Sequence, residues 1–279
     1  MEEELKSILK FVDDDFVKIL MKIPPRREPY LPPYWLHIQM VERYKILSYA
    51  GIKEGMNVLE IGCGAHAIAT VPLAHMVGKC GRVVAIDIKR WTFFEEIIKS
   101  ARLQRRVIPI MFDATQLPFK YQCFDIGLIV HGIRSMRSED NIVRIIKELL
   151  RVSSQIFVAE SLPIAKNKAQ EAHIEMYNLR EEIFKALIGE KDDIHYFPLE
   201  KLVEMVKEAG GKIIDAKMID VNLPHHLAFI PREYIEKIKD KRKREGLLRR
   251  WENAYRKLQK YGEEHPPVGI IKAVKKNYM

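Results

Sequence analysis

The amino-acid sequence predicts a doubly wound α/β fold. Short runs rich in Val, Ile and Leu alternate with amphipathic stretches across residues 57–161. Those runs are apolar at nearly every position, the pattern of strands buried on both faces of a parallel sheet. The first of them breaks into a glycine loop, EIGCGAHA, that opens a helix.

The elements follow in order. Residues 2–22 read as one amphipathic helix with Leu5, Ile8, Leu9, Val12, Phe16, Ile19 and Leu20 on its apolar face, ended by Pro24-Pro25. The Pro-rich segment PPRREPYLPPYW is extended and leads to a helix over 35–50. Strands are predicted at 57–62, 82–87, 107–113, 124–130 and 155–161, separated by the helical stretches AIATVPLAHMVG, WTFFEEIIKSARLQ and EDNIVRIIKELLRV. A helix over 169–188, a helix over 198–210 stopped at Gly210-Gly211 and a strand over 212–221 come next. The basic stretch 232–261 is helical, and 268–276 forms the last strand.

Composition narrows the class. With 279 residues, 47% of them hydrophobic and 30% charged, the chain has material for one large domain with an added lobe. Three cysteines, Cys63, Cys80 and Cys123, are not spaced as zinc ligands or as a disulfide framework. The acidic start MEEELK lacks a signal-peptide core, and no apolar run is long enough to span a bilayer, so a cytoplasmic protein without a membrane span is expected. Of the net charge of +9, residues 231–260 contribute 12 Lys/Arg against 5 Asp/Glu.

The chemistry lies at successive strand ends. Glycines let the loop turn sharply and approach a ligand, and the helix start beyond it offers unpaired N–H groups. Alone, this loop also fits a dinucleotide site. Asp87 ends the second strand, where a carboxylate accepts from both hydroxyls of a ribose, and Asp113 ends the third, within reach of an adenine amino group.

The ordered runs VLEIGCG, VVAID, FDATQLPF and CFDIGLIV resemble the motifs of class I S-adenosylmethionine-dependent methyltransferases. The resemblance implies a mostly parallel seven-stranded sheet in the order 3-2-1-4-5-7-6, the last strand antiparallel. It implies S-adenosyl-L-methionine as cofactor, bound by Glu60, Gly62, Cys63, Gly64 and His66 of the loop, by Asp87 and Ile88, by Asp113 and Ala114, and beside His131. Within that class, HGIRSM and IHYFPLEKLVEMVKEAGG are similar to segments of the ubiquinone/menaquinone-biosynthesis C-methyltransferases. Ser135 replaces the usual Asn, SSQ replaces P-G-G before the fifth strand, and His66 stands where a third glycine is common. The expected organisation is a helical cap at 1–50, a methyltransferase domain at 51–230 and 265–279, and a basic helical insertion at 231–264.

His131, weighed against orienting the substrate or a buried hydrogen-bonding role, and, behind it in rank, Glu160 are the candidate bases. The adjacent His225-His226 have no third ligand nearby, so no metal is expected. Tyr30, Tyr34 and Trp35 form either a lid or an anchor for the N-terminal segment. The acceptor is expected to be a small molecule. The alternatives are an RNA or protein substrate docked on the basic helix 232–261, an acidic partner at that helix, and an NAD-dependent oxidoreductase, since Asp87 also suits that fingerprint.

Overall fold

The computed structural model describes residues 2–26, 31–89, 93–136, 138–189, 194–221, 223 and 227–276. The chain opens with α1 (Glu2–Leu9), α2 (Asp14–Leu20) and α3 (Trp35–Leu47). Then β1 (Asn57–Ile61), α4 (Thr70–Met76), β2 (Arg82–Asp87), α5 (Phe94–Ser100) and β3 (Val107–Met111) alternate. They are followed by β4 (Phe124–Val130), α6 (Glu139–Val152), β5 (Ser153–Ser161), α7 (Lys168–Ile188), α8 (Leu199–Glu208) and β6 (Gly211–Ile219). The short α9 (Glu233–Glu236), α10 (Lys241–Tyr261) and β7 (Val268–Lys275) complete the order.

The sheet runs β3-β2-β1-β4-β5-β7-β6, as the resemblance implies. Its first five strands are parallel, and β7 enters antiparallel between β5 and β6, with Glu160 opposite Gly269 and Ser161 opposite Val268. Alternation along each strand divides the core. Val58, Ile126, Leu128, Phe157 and Ile270 point into the layer formed with α3, α4 and α5. Leu59, Ile129, Ile156, Val158 and Ile271 point into the opposite layer, with Ile142, Ile146 and Leu149 of α6 and Leu202, Met205 and Val206 of α8. A third cluster joins α7, α9 and α10 through Met176, Leu179, Ile183, Ile235, Leu247 and Trp251.

Two predicted helices are each broken in two. The stretch 2–22 stops at Leu9 and restarts at Asp14, because the Asp13 carboxylate accepts the Phe16 N–H at 2.8 Å and caps a new helix. The stretch 232–261 is interrupted between α9 and α10, where Asp240 caps the Lys243 N–H at 2.9 Å and Arg244 donates to the Ile238 carbonyl at 2.8 Å. β3 ends at Met111, so Asp113 stands two residues beyond the strand rather than on it.

Candidate functional site: a glycine loop beside a buried histidine

β1 delivers the chain into a loop held in an unusual backbone shape. Gly62 and Gly64 adopt φ of +77° and +67°, the left-handed region that glycine enters without a Cβ clash. Gly62 and Cys63 N–H groups donate to the Ile86 carbonyl at 2.8 and 3.2 Å, fastening the loop to the end of β2. The Asp87 carboxylate accepts the Gly64 N–H at 2.9 Å through one oxygen and the Lys89 N–H at 3.0 Å through the other. Both oxygens are thereby aimed, and each keeps lone-pair capacity for a ligand hydroxyl.

A Cβ built on Gly64 would meet no atom within 4 Å, so open space faces the loop there. A Cβ on Gly62 would stand 3.7 Å from Cα of Gly132, which places the residue after His131 against the glycine loop. This cradle, with an aimed carboxylate at its rim, fits a nucleoside cofactor whose polar groups are hydroxyls. Asp113 is exposed, and its Oδ1 accepts the N–H and hydroxyl of Thr115 at 2.9 and 2.8 Å. Ala114 and Cys63 are buried, and Ile88 is exposed.

Glu60 lies beneath the loop, fully buried, and accepts the Thr70 hydroxyl at 2.6 Å. Burial pushes its carboxyl up to about 7; the Thr70 bond opposes the rise and the charge of Asp87 adds to it. It braces β1 against the first turn of α4. His66 lies stacked on Phe93 with centroids 5.3 Å apart and edge-on to Trp35 at 5.2 Å. The Arg26 guanidinium sits 3.2 Å from the Phe93 centroid, so the N-terminal segment closes this column over the loop. Trp35 is buried and Tyr34 packs edge-on to His37 at 5.5 Å, contacts that anchor the segment. Tyr30, His225 and His226 lie outside the described residues.

The second half of the site begins where β4 ends. His131 has φ of +53°, an uncommon conformation for a residue with a Cβ, and its N–H donates to the Ala159 carbonyl at 2.8 Å. Its ring Nδ1 is 3.0 Å from Ser161 Oγ and 3.3 Å from Glu160 Oε1. Burial would raise the Glu160 carboxyl, but Arg134 and His131 outweigh it and hold it below its ordinary value. Glu160 is therefore an acceptor, Nδ1 carries the imidazole proton, and Nε2 presents a lone pair. Among the described residues, this buried Nε2 has no hydrogen-bond partner. Burial first, then Arg43, pushes the imidazole down to about 4 against the pull of Glu160, so the ring is neutral near pH 7. Glu160 is wholly buried behind His131, where it orients the ring.

Two neighbouring cavities flank this point. One, about 170 Å³, is walled by Leu162, Tyr177, Tyr196, Arg134, His173 and His265 among others. The second, about 240 Å³, is more polar and includes Glu42, Arg43 and Arg180. Arg134, His173, Tyr177 and His265 line both. His173 is held by Glu263, 2.9 Å away, whose Oε1 also accepts the N–H groups of Leu227 and Ala228. Sequence reasoning missed Glu42, Arg43, His173, Tyr177, Tyr196 and His265 as site residues. An adjacent acid–base pair, Glu42-Arg43, in a helix whose Ile38, Val41, Ile46 and Leu47 face the core was a usable signal, because buried charges require partners.

Among the described residues, no group of three His, Cys, Asp or Glu side chains is arranged to hold a metal ion, and no helix is long and apolar enough to cross a membrane.

This strand order, with a glycine loop after β1 and an acid at the tip of β2, defines an S-adenosylmethionine-dependent methyltransferase. The sequence profile of the ubiE/COQ5 methyltransferase family matches residues 35–220, and the chain belongs to that family. That membership sets aside the NAD-dependent oxidoreductase alternative. The ubiquinone/menaquinone biosynthesis C-methyltransferase UbiE of Idiomarina loihiensis is 25% identical over 190 residues, 62% of this chain and 73% of that protein. Demethylmenaquinone methyltransferase of Lactobacillus johnsonii is 25% identical over 180 residues, 61% of this chain and 73% of that protein. A cyclopropane-fatty-acyl-phospholipid synthase-like protein from Lactobacillus casei shares the fold, with a TM-score of 0.64 at 16% identity, covering 98% of this chain and all of the other.

Proposed function

We propose that this methyltransferase acts on a small-molecule acceptor seated in the aromatic-walled cavity beside His131, in the cytoplasm. The observation that supports the reading is His131 itself: among the described residues its buried Nε2 has no hydrogen-bond partner, the next residue, Gly132, abuts the glycine loop, and its neighbours Glu42 and His265 line the polar cavity. The UbiE-type relatives, named for quinone biosynthesis, support an acceptor of this size.

The cofactor supplies an electrophilic methyl on a sulfonium. The chain's own residues bind and align. Gly62, Cys63 and Gly64 give close backbone approach, Asp87 takes ribose hydroxyls, and Asp113 with Ala114 borders the adenine. Ile88 covers the base, and Glu60 braces the loop from below. His66 is held in its aromatic column at the rim. Holding acceptor and methyl at near-attack distance is worth on the order of 7–11 kcal/mol of barrier. His131, oriented by Glu160, takes a proton where the acceptor must lose one. The organisation in this reading is a cap at 1–50, a catalytic domain at 51–230 and 265–279, and a basic insertion at 231–264.

An RNA or acidic-protein partner at the basic helix is less well supported. α10 buries Leu247, Trp251 and Ala254 against α7, and part of its charge is spent there: Arg250 pairs with Glu182 at 2.6 Å, and Lys257 pairs with Glu175. Methyl-labelled cofactor added to a lysate with the enzyme is expected to label an organic-extractable small molecule. Label recovered in RNA or protein instead would overturn this reading. Calorimetry is expected to show S-adenosylhomocysteine binding that is lost when the loop is altered.

A further inference from the structure

The more polar of the two cavities, about 240 Å³, is lined by cations that the fold brings from three places. Arg43 comes from α3, Arg134 from the turn after β4 and Arg180 from α7. Arg134 closely follows Gly132, which abuts the glycine loop, so this wall is continuous with the cofactor side. A guanidinium carries five N–H donors in a fixed fork. Arg43 is only 7% exposed, and its polar partner among the described residues is Glu42 alone, 2.7 Å away. Arg180 donates through Nη1 to the Leu227 carbonyl and lies over the Tyr177 ring at 4.5 Å, but its buried Nε has no hydrogen-bond partner among the described residues. The side chain of Arg134 donates weakly, with Nη1 3.5 Å from Ser161 Oγ and Nε 3.7 Å from Glu160 Oε1. Burial pushes the Arg43 guanidinium below its ordinary value; Glu42 opposes that, and the charge of Arg134 adds to it.

We propose that this cavity binds a carboxylate, and that the acceptor of the enzyme is a carboxylate-bearing aromatic compound whose ring occupies the neighbouring aromatic-walled cavity. This rests on the small-molecule reading above. The two cavities share Arg134, His173, Tyr177 and His265, so one ligand can span them. Leu162, Pro163, Ile174 and Tyr196 give the first cavity a surface that suits a ring. On the wall of the second, three guanidiniums stand against two carboxylates, Glu42 and Glu181. Arginines and glutamates together leave one surplus positive charge, which a single carboxylate neutralises and a phosphate dianion exceeds. A carboxylate is acceptor-only, and its two oxygens match the guanidinium fork. Placed between Arg43 and Arg134, it takes up N–H donors that Glu42 and Glu160 leave unfilled, and it offsets the repulsion between the two cations. A neutral amide in its place offers one acceptor and turns N–H donors against the guanidiniums.

The test is calorimetry on the full chain saturated with S-adenosylhomocysteine, with 2-naphthoate and 2-naphthamide as probes of matched shape that differ in charge. 2-Naphthoate is expected to bind about 10- to 100-fold more tightly. Arg180→Met is expected to reduce that ratio at least several-fold by weakening 2-naphthoate alone, and Arg180→Lys to restore part of it. Arg43→Lys keeps the charge beside Glu42 but gives up the fork, and it is expected to reduce the ratio as well. Equal affinities in the unsubstituted protein, or no binding of 2-naphthoate, overturn the proposal. So does a ratio that survives unchanged in Arg43→Lys and Arg180→Met, because the carboxylate is then held elsewhere. S-adenosylhomocysteine is titrated into the same proteins first. Failure of the unsubstituted protein to bind it would defeat the methyltransferase reading, whereas S-adenosylhomocysteine binding with equal probe affinities would defeat only the carboxylate subsite.

Discussion

Glu60→Gln tests the electrostatics under the glycine loop. In the folded chain burial lifts the Glu60 carboxyl from its ordinary value of 4.5 to about 7. The fold therefore holds this proton more tightly than the unfolded chain does. A raised carboxyl contributes stability that is complete below about pH 4.5 and is lost as pH climbs through about 7. The displacement corresponds to about 3 kcal/mol between the two ends of that window. Glutamine cannot ionise, and its amide oxygen still accepts the Thr70 hydroxyl. The unsubstituted protein is thus expected to lose about 3 kcal/mol more than Glu60→Gln between about pH 4.5 and about pH 8. Urea denaturation of both proteins at the two pH values measures this as a difference of differences, which cancels the titrating groups that do not interact with Glu60. Parallel pH profiles for the two proteins would refute the buried, proton-holding Glu60.

Four further outcomes are expected. Asp87→Asn removes one of two aimed oxygens and weakens S-adenosylhomocysteine about 10- to 100-fold by calorimetry, with little change in melting temperature. Gly127→Ala puts a Cβ 2.5 Å from both Leu149 Cδ1 and Ser153 Oγ, and urea curves are expected to show a loss of about 1–3 kcal/mol. Trp251→Ala empties the α7–α10 interface and orphans the Ile230 carbonyl that its indole N–H reaches at 2.7 Å; the expected cost is about 3–5 kcal/mol by the same assay, with S-adenosylhomocysteine affinity unchanged. His131 serves as a base only when unprotonated, so its contribution to the methyl-transfer rate is present above about pH 4 and falls away as pH drops through about 4; a rate limb near pH 6.5 that vanishes in His131→Asn would contradict this.

The sheet was legible because its information is local. β2 carries Val83, Val84 and Ile86 and β4 carries Ile126, Leu128, Ile129 and Val130, and their predicted bounds match the observed Arg82–Asp87 and Phe124–Val130. The helix break at Asp13 was not legible, because what secures that carboxylate is distant: the Tyr44 hydroxyl donates to it at 2.6 Å, and His75 Nε2 lies 2.9 Å away. The site divides in the same way. The glycine loop and Asp87 are adjacent to strand ends and follow from spacing. Glu42 and His265 belong to α3 and to the approach to β7, more than two hundred residues apart in sequence, and only the packing of α3 beside the end of β7 brings them to 3.5 Å. His131 was found from its place after β4, but the direction of its lone pair depends on Glu160 and Ser161.

The seating of β7 between β5 and β6 bears on how the chain is made. A ribosome releases β5 and β6 well before β7, at about 5–20 residues per second, and until β7 arrives each of them presents an unsatisfied edge to other nascent chains. The wall of the site that holds His265 is delivered with that same late strand. Assembly of the sheet and completion of the pocket are thus one event, timed by translation of the residues that follow α10.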